Sequence, residues 1–295
     1  TIDGRNIAIK GANDAANPRT VGATVTSTNG QVGIGDNVSM EKAVTVTGQA
    51  TQTVDPATPP TGQAYTRTTY NTYNNSNEQA VVLGNNTMQD TVTATGQIVS
   101  DPASKVALNG DVTSTAGIGT VTTEQFDASN TQTGKTVIDS MDDSVSGGII
   151  LGETTAGAVT LKTEGGNISL GDNSILDGTT VSAESADLNK TVYSNDGGSW
   201  NTIASTEKLG TIEGSVTLGE NTTVKGNSTL TADDNIAIGN NSVITGNTAA
   251  DGVISAGGQI SIGDGTQVLD NTATSDGKAA INLADGQTLY IGSGA

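Results

Sequence analysis

A chain of 295 residues with 39 Gly, aromatic residues at 2% and neither Cys nor His cannot build an ordinary globular core, because the large side chains that dominate such cores are nearly absent. Without thiols and imidazoles the usual ligands of zinc and haem are missing, and no cofactor or metal is expected. A balance of 31 acidic against 12 basic residues gives a net charge of −19, which repels nucleic acid and anionic membrane surfaces.

The apolar third of the chain is mainly Val, Ile, Leu and Ala, and abundant Val, Ile and Thr argue for pleated strands over disorder. No run of 18 apolar residues is present, so no membrane insertion is expected. Thr1-Ile2-Asp3-Gly4 already reads as strand, without Met or a signal peptide, so the chain is expected to be a processed or excerpted segment of a longer precursor.

Along the chain one phrase recurs: an apolar residue, any residue, Ile or Leu, Gly, then Asp, Asn or Glu. It stands at Val32–Asp36, Val81–Asn85, Ile149–Glu153, Ile168–Asp172, Val216–Glu220, Ile236–Asn240 and Ile260–Asp264, with a looser copy at Leu289–Gly292. Its glycines fall at positions 35, 84, 152, 171, 219, 239, 263 and 292, so successive differences are 49, 68, 19, 48, 20, 24 and 29. Gly117-Ile118-Gly119 resembles a missing copy. Reading the long gaps as multiples of about 23 gives coils of roughly 19–29 residues, on the order of a dozen. Alternation such as Ile260-Ser261-Ile262 is the signature of a strand with one buried face. Gly followed by Asx is turn chemistry, and a second strand follows, as in Ser242-Val243-Ile244-Thr245.

The fold class expected is therefore all-β, a single parallel β-helix over residues 1–295. An antiparallel sandwich is the alternative, but it has no reason to repeat one phrase. A helical turn is plausible only at 122–128 and 184–192. Three segments break the rhythm and are expected to project as loops. Residues 50–79 hold Pro56, Pro59 and Pro60, with Tyr65, Tyr70 and Tyr73, and end in Asn74-Asn75-Ser76-Asn77. Residues 100–110 hold Asp101-Pro102, and residues 187–210 hold Tyr193, Asn195-Asp196-Gly197-Gly198 and Trp200.

Gly257-Gly258-Gln259-Ile260-Ser261-Ile262-Gly263-Asp264-Gly265-Thr266, with Ile281-Asn282-Leu283-Ala284-Asp285-Gly286 and Val216–Asn247, resembles the passenger domains of bacterial autotransporters and related β-helical adhesins. The resemblance covers residues 147–295 best. It implies a right-handed parallel β-helix, secretion to the bacterial outer cell surface and a structural or adhesive role. No aromatic membrane-barrel strands follow and no serine-protease signature is present. Asn235–Ser242 is also similar to the heads of trimeric autotransporter adhesins, whose repeats are shorter and more regular.

Parallel β-helices also carry polysaccharide-cleaving enzymes, which need facing carboxyls. Asp142-Asp143, Asp233-Asp234, Asp36, Asp172 and Asp264 qualify by type, yet Asp after Gly reads more simply as a turn cap, and only Arg5, Arg19 and Arg67 offer guanidinium groups. The reading is that the chain is not an enzyme, with a polysaccharide-binding or polysaccharide-cleaving β-helix as the alternative. The Gly-Gly-x-Gly-x-Asp calcium repeat is absent. Asn85, Asn221 and Asn227 head glycan-acceptor triplets, although stacked turn residues explain them equally. Thr45-Val46-Thr47 and Thr91-Val92-Thr93 suit a flat ice-binding face, which irregular coil lengths disfavour.

Tyr65, Tyr70, Tyr73, Tyr193 and Trp200 are the candidate ligand-binding residues, since exposed aromatics mark recognition surfaces for host glycans or surface proteins. Residues 1–10 and 281–294 both look like interior coils. The expected partners are thus the chain's own subunits stacked end to end, as a filament, or the rest of a longer shaft.

Overall fold

Segments such as Val32–Ile34 and Ile260–Ile262 fold as three-residue strands whose two ends are buried and whose middle residue faces outward. The computed structural model describes residues 1–73 and 78–295, and within them the secondary structure is all strand. The strands wind into a parallel β-helix with three sheets running its length, two of ten strands and one of nine. Each coil gives one strand to each sheet in turn. Sheet A runs from Ile2–Gly4 to Ile281–Leu283, sheet B from Ile7–Ile9 to Leu289–Ile291 and sheet C from Arg19–Val21 to Gln267–Leu269.

The core is a set of side-chain columns. In sheet B, Val32, Val81, Ile98, Ile149, Ile168, Val216, Ile236 and Ile260 stack in register, each at most 1% exposed. Small aliphatic side chains suffice here because the space between the sheets is narrow and each residue packs on its own kind above and below. The antiparallel alternative is thereby replaced by stacked parallel coils.

The described residues make ten coils, fewer than the glycine spacings suggested. Among coils without an insertion, the shortest runs from Val25 to Val44 and the longest from Ile254 to Ile281. Three others, from Val44 to Val92, Val112 to Leu161 and Val181 to Leu230, are far longer because each carries a β-hairpin. Such a gap is one coil plus a hairpin, where the spacing alone reads as two coils. The strand at Gly117–Phe126 belongs to one of these hairpins, so Gly117-Ile118-Gly119 is no copy of the coil phrase.

The expected insertions shift accordingly. The hairpins leave the shaft after Val44–Thr47, Val112–Thr115 and Thr180–Glu184. Residues 100–110 are no insertion: Asp101 Oδ1 accepts the Ala103 N–H to form a tight corner, and Lys105–Leu108 is a sheet C strand. Residues 122–128 and 184–192 are largely strand, without a helical turn. Asn74-Asn75-Ser76-Asn77 lie outside the described residues.

Between sheets B and C the turn phrase acquires a reason at each position. The glycine is there for proximity: a Cβ on Gly219 would sit 2.5 Å from the Asp172 backbone nitrogen, and one on Gly239 would sit 2.5 Å from the Gly219 carbonyl carbon. The left-handed residue is two positions later, at Asn37, Asn86, Asn173, Asn221 and Asn241, with φ between 53° and 62°. The residue between them links coils. Asp36 Oδ1 accepts the Asn85 N–H at 2.8 Å, Asp172 Oδ1 the Glu220 N–H at 2.8 Å and Asn240 Oδ1 the Asp264 N–H at 2.8 Å. Next comes a buried hydroxyl: Ser174, Thr222 and Ser242 each donate to the carbonyl of the glycine three positions back.

One interior position breaks the pattern. Gln89 is 0% exposed and pairs in register with Leu108, and neither its Oε1 nor its Nε2 has a hydrogen-bond partner among the described residues. Gln89→Met, which keeps the side-chain length and removes the amide, should raise the stability of the shaft by about 1–3 kcal/mol in urea denaturation followed by circular dichroism. Gly219→Ala should lower it by about 1–3 kcal/mol through overpacking against the coil beneath. Gly157→Ala, where a Cβ meets nothing within 4 Å, should change stability by less than about 0.5 kcal/mol.

Candidate functional site

All three hairpins grow from the same corner, between sheets A and B, in alternate coils. In the two coils between them that corner is closed by Gly96 and Gly165, with φ of 102° and 71°. Strands in the shaft and in a hairpin share the same spacing of about 4.8 Å. One two-stranded hairpin for every two coils therefore keeps pace with the shaft, and the hairpins merge into one six-stranded antiparallel sheet. Its strands, in spatial order, are Thr51–Asp55, Tyr65–Thr72, Gly117–Phe126, Gln132–Val145, Ala186–Asp196 and Ser199–Ile212.

Opposed residues of an antiparallel pair share a face, and neighbours along a strand point to opposite faces. The registers thus sort the lateral sheet into two surfaces. One carries Tyr65 and Phe126, then Arg67, Glu124, Lys135 and Tyr193, then Asn71, Thr120 and Asp139. We call it the inner face; at the root of the sheet Thr211 of this alternation and Ile212 of the other both line a groove of about 320 Å³ with Gly147, Gly148, Ile150 and Asn167 of the shaft. The outer face carries Thr53, Tyr70, Val121, Ile138, Lys190 and Glu207 in one row, and Asp55, Thr68, Thr123, Thr136, Val192 and Ser205 in the next.

The inner face is knitted by its own side chains. Tyr65 stacks on Phe126 with centroids 4.8 Å apart and donates its hydroxyl to Asn130 Oδ1 at 2.6 Å. Arg67 lies over the same Phe126 ring at 4.9 Å and binds Glu124 through Nε at 2.9 Å. Lys135 Nζ sits 4.5 Å above the Tyr193 ring. Asn71 donates to Thr120, and Asp139 accepts the Asn189 N–H. Lys208 bonds to Asp187 at 2.6 Å, and its ammonium group holds that carboxyl below the ordinary carboxylate range. The carboxyl's lowered pKa means that this tie between the last two strands is complete at neutral pH and weakens as pH falls through the folded-state value.

The five candidate aromatics are therefore separated. Tyr65 and Tyr193 lie on the inner face, engaged with Phe126 and Lys135 respectively. Tyr70 lies on the outer face and is 40% exposed. Tyr73 wedges into the root of the sheet, where a Cβ on Gly117 would meet its ring at 2.5 Å. Trp200 is half-buried near the tip of the last hairpin. Phe126, which holds both Tyr65 and Arg67, carries no sequence signal: Val121–Phe126 shows no apolar alternation, and its role depends on the register with Tyr65.

The candidate carboxylates are engaged at turns and roots. Besides Asp36 and Asp172, Asp264 Oδ1 accepts the Ser293 N–H, Asp233 caps Ser185 and Asp234 accepts the Gly214 N–H. Asp143 accepts the Thr72 hydroxyl, whereas Asp142 is exposed. Among the described residues no group of three or more acidic side chains converges on a metal-sized site. Asn85 and Asn227 accept backbone N–H groups from the next coil, which accounts for two of the three acceptor triplets structurally. Thr45 pairs with Thr93, but Thr95 packs beside Gly48 at the hairpin root and the Thr115 hydroxyl donates to the Ala94 carbonyl, so the Thr rows are not an open lattice.

No protein-family model, curated protein or solved structure matches the chain.

Phe126→Ala removes the support of Tyr65 and Arg67 together. Amide exchange should quicken in residues 65–70 and 120–126 by an opening free energy lowered by about 0.5–1.5 kcal/mol, while exchange in the shaft strands stays unchanged.

Proposed function

We propose that the chain is an extracellular structural and adhesive β-helix of a bacterial cell surface, its shaft setting reach and its lateral sheet meeting partners. The observation that carries this reading is the convergence of three hairpins, from one corner of alternate coils, into a single exposed sheet. A shaft that needed only length would close every corner as Gly96 and Gly165 do. The resemblance of residues 147–295 to autotransporter passengers and β-helical adhesins points the same way.

End-to-end contact is part of this proposal. Ile2 and Leu289 are each 37% exposed and Ile291 62% exposed, although their registers place them at core positions. The proposed contact there is a neighbouring copy stacked end to end or the rest of a longer precursor.

Polysaccharide binding is the second reading, and the groove at the root of the lateral sheet favours it. Gln97, Asn167 and Glu213 give polar contacts beside the half-exposed Met141 and Ile150, a mixture that suits the polar rim and apolar face of a sugar ring.

Two measurements test these readings. Incubated with a panel of surface polysaccharides and host glycoproteins, the chain should be retained without releasing new reducing ends. Released ends would replace the adhesive reading with a hydrolytic one. Electron microscopy of the concentrated chain should show fibres one shaft wide that Ile291→Asp abolishes. Single shafts of fixed length would rule out end stacking.

A further inference from the structure

Polar residues at the start of the sheet B strands form a column along the shaft. Gln79 pairs with Gln97, Gln97 with Gly148 and Gly148 with Asn167. Asn167 Oδ1 accepts the Ser215 N–H at 2.8 Å, and further on Asn235 Oδ1 accepts the Gln259 N–H at 2.8 Å. Gly148 is the rung without a side chain, and it lines the groove of about 320 Å³ at the root of the lateral sheet. The amides of Gln97 and Asn167 on either side of it stand two rungs apart, roughly 10 Å. Two apolar side chains line the same groove: Ile150 of the shaft, 39% exposed, and Met141 of the lateral sheet, 50% exposed.

We propose that this groove takes an uncharged glycan, the amides meeting its hydroxyl groups and Ile150 and Met141 the apolar face of a ring. The inference rests on the polysaccharide-binding reading and adds the class of glycan and the residues that select it. Among the described residues Asn167 Nδ2 makes no hydrogen bond, so it is a donor for a ligand oxygen while Oδ1 holds the next coil. Gln97 Nε2 donates to Glu78 Oε1 at 3.2 Å, which fixes that amide beside the groove. The backbone of the floor is already used: the Gly147 N–H donates to the Gly165 carbonyl and the Gly148 N–H to Ser114 Oγ. The sheet B strands here are paired on both sides, so an extended peptide has no free edge to join, and recognition falls to side chains.

Charge decides among glycans. Of the lining residues only Glu213 is ionisable, and none is Lys or Arg. A uronate or sulfated sugar would meet that carboxylate on a chain of net charge −19, with no lining cation to offset the repulsion. Uncharged sugars carry no such penalty, and their hydroxyls, like the amides, both donate and accept.

Binding of the whole chain to immobilised oligosaccharides of equal length tests this. One arm carries uncharged glucans, mannans and galactans, the other uronate and sulfated oligosaccharides, at low ionic strength so that repulsion is unscreened. Uncharged glycans should be retained and acidic ones should not. Asn167→Asp keeps the acceptor for Ser215 and loses the donor, and Ile150→Asp removes apolar surface. Each should weaken uncharged-glycan binding at least about tenfold with its circular dichroism unchanged. Glu213→Lys should gain retention of uronate oligosaccharides, whereas Asp276→Lys, the same charge change at an exposed position outside the groove, should not. Uncharged glycans held equally well by both groove variants would overturn the groove assignment while leaving the glycan reading standing. Acidic oligosaccharides held as tightly as uncharged ones would overturn the charge selection. Retention of no glycan, or displacement by an unstructured peptide alone, overturns the inference and the reading together.

Discussion

The hydrogen-bonded ladder between successive coils, repeating about every 4.8 Å, is the constraint on which the rest depends. It brings backbone within reach of backbone at every corner, so a Cβ at Gly219 or Gly239 has no room. It places Asp36 Oδ1 at the Asn85 N–H and Asn240 Oδ1 at the Asp264 N–H, letting side chains continue at the corners the bonding that strands perform between them. It also fixes the inside. Whatever occupies one level packs on its counterpart at the next, and columns of Val, Ile and Leu replace the large aromatics of a globular core.

The same spacing dictates how the shaft is decorated. A hairpin occupies two strand widths, so hairpins in alternate coils align into a continuous sheet without strain between shaft and insertion. That sheet has no core of its own. Its inner face compensates with stacking, cation–π contact and cross-strand hydrogen bonds around Phe126, Arg67 and Tyr193. Its other face holds Tyr70, Val121, Ile138 and Val192 among Thr residues. Shaft and lateral sheet thus hold together by different physics: repetitive apolar stacking in one, local polar and aromatic pairs in the other.

Much of this was legible in the residues. The Ile/Leu-Gly-Asx phrase with its alternating neighbours determined stacked parallel coils, because the requirements of a coil corner are local and each copy meets them alone. The aromatic-rich segments were recognised as departures from the shaft for the same reason: Pro and Tyr do not fit a narrow aliphatic stack.

What only the tertiary structure decided was whatever depends on comparing distant segments. The stretch from Gly35 to Gly84 reads as two coils or as one coil with a hairpin, and only the pairing of Val32 with Val81 separates them. The hairpin Gly117–Val145 escaped notice because its Thr- and Val-rich strands have the same composition as the coils, whereas residues 100–110 looked like an insertion through a single Pro. The destination of each aromatic was likewise invisible. Whether Tyr65 stacks, Tyr70 is exposed or Tyr73 wedges depends on strand register across hairpins far apart in the chain. Sequence by itself determined the shaft, whose order is local and repeated. The lateral sheet exists only once the coils have brought its strands side by side.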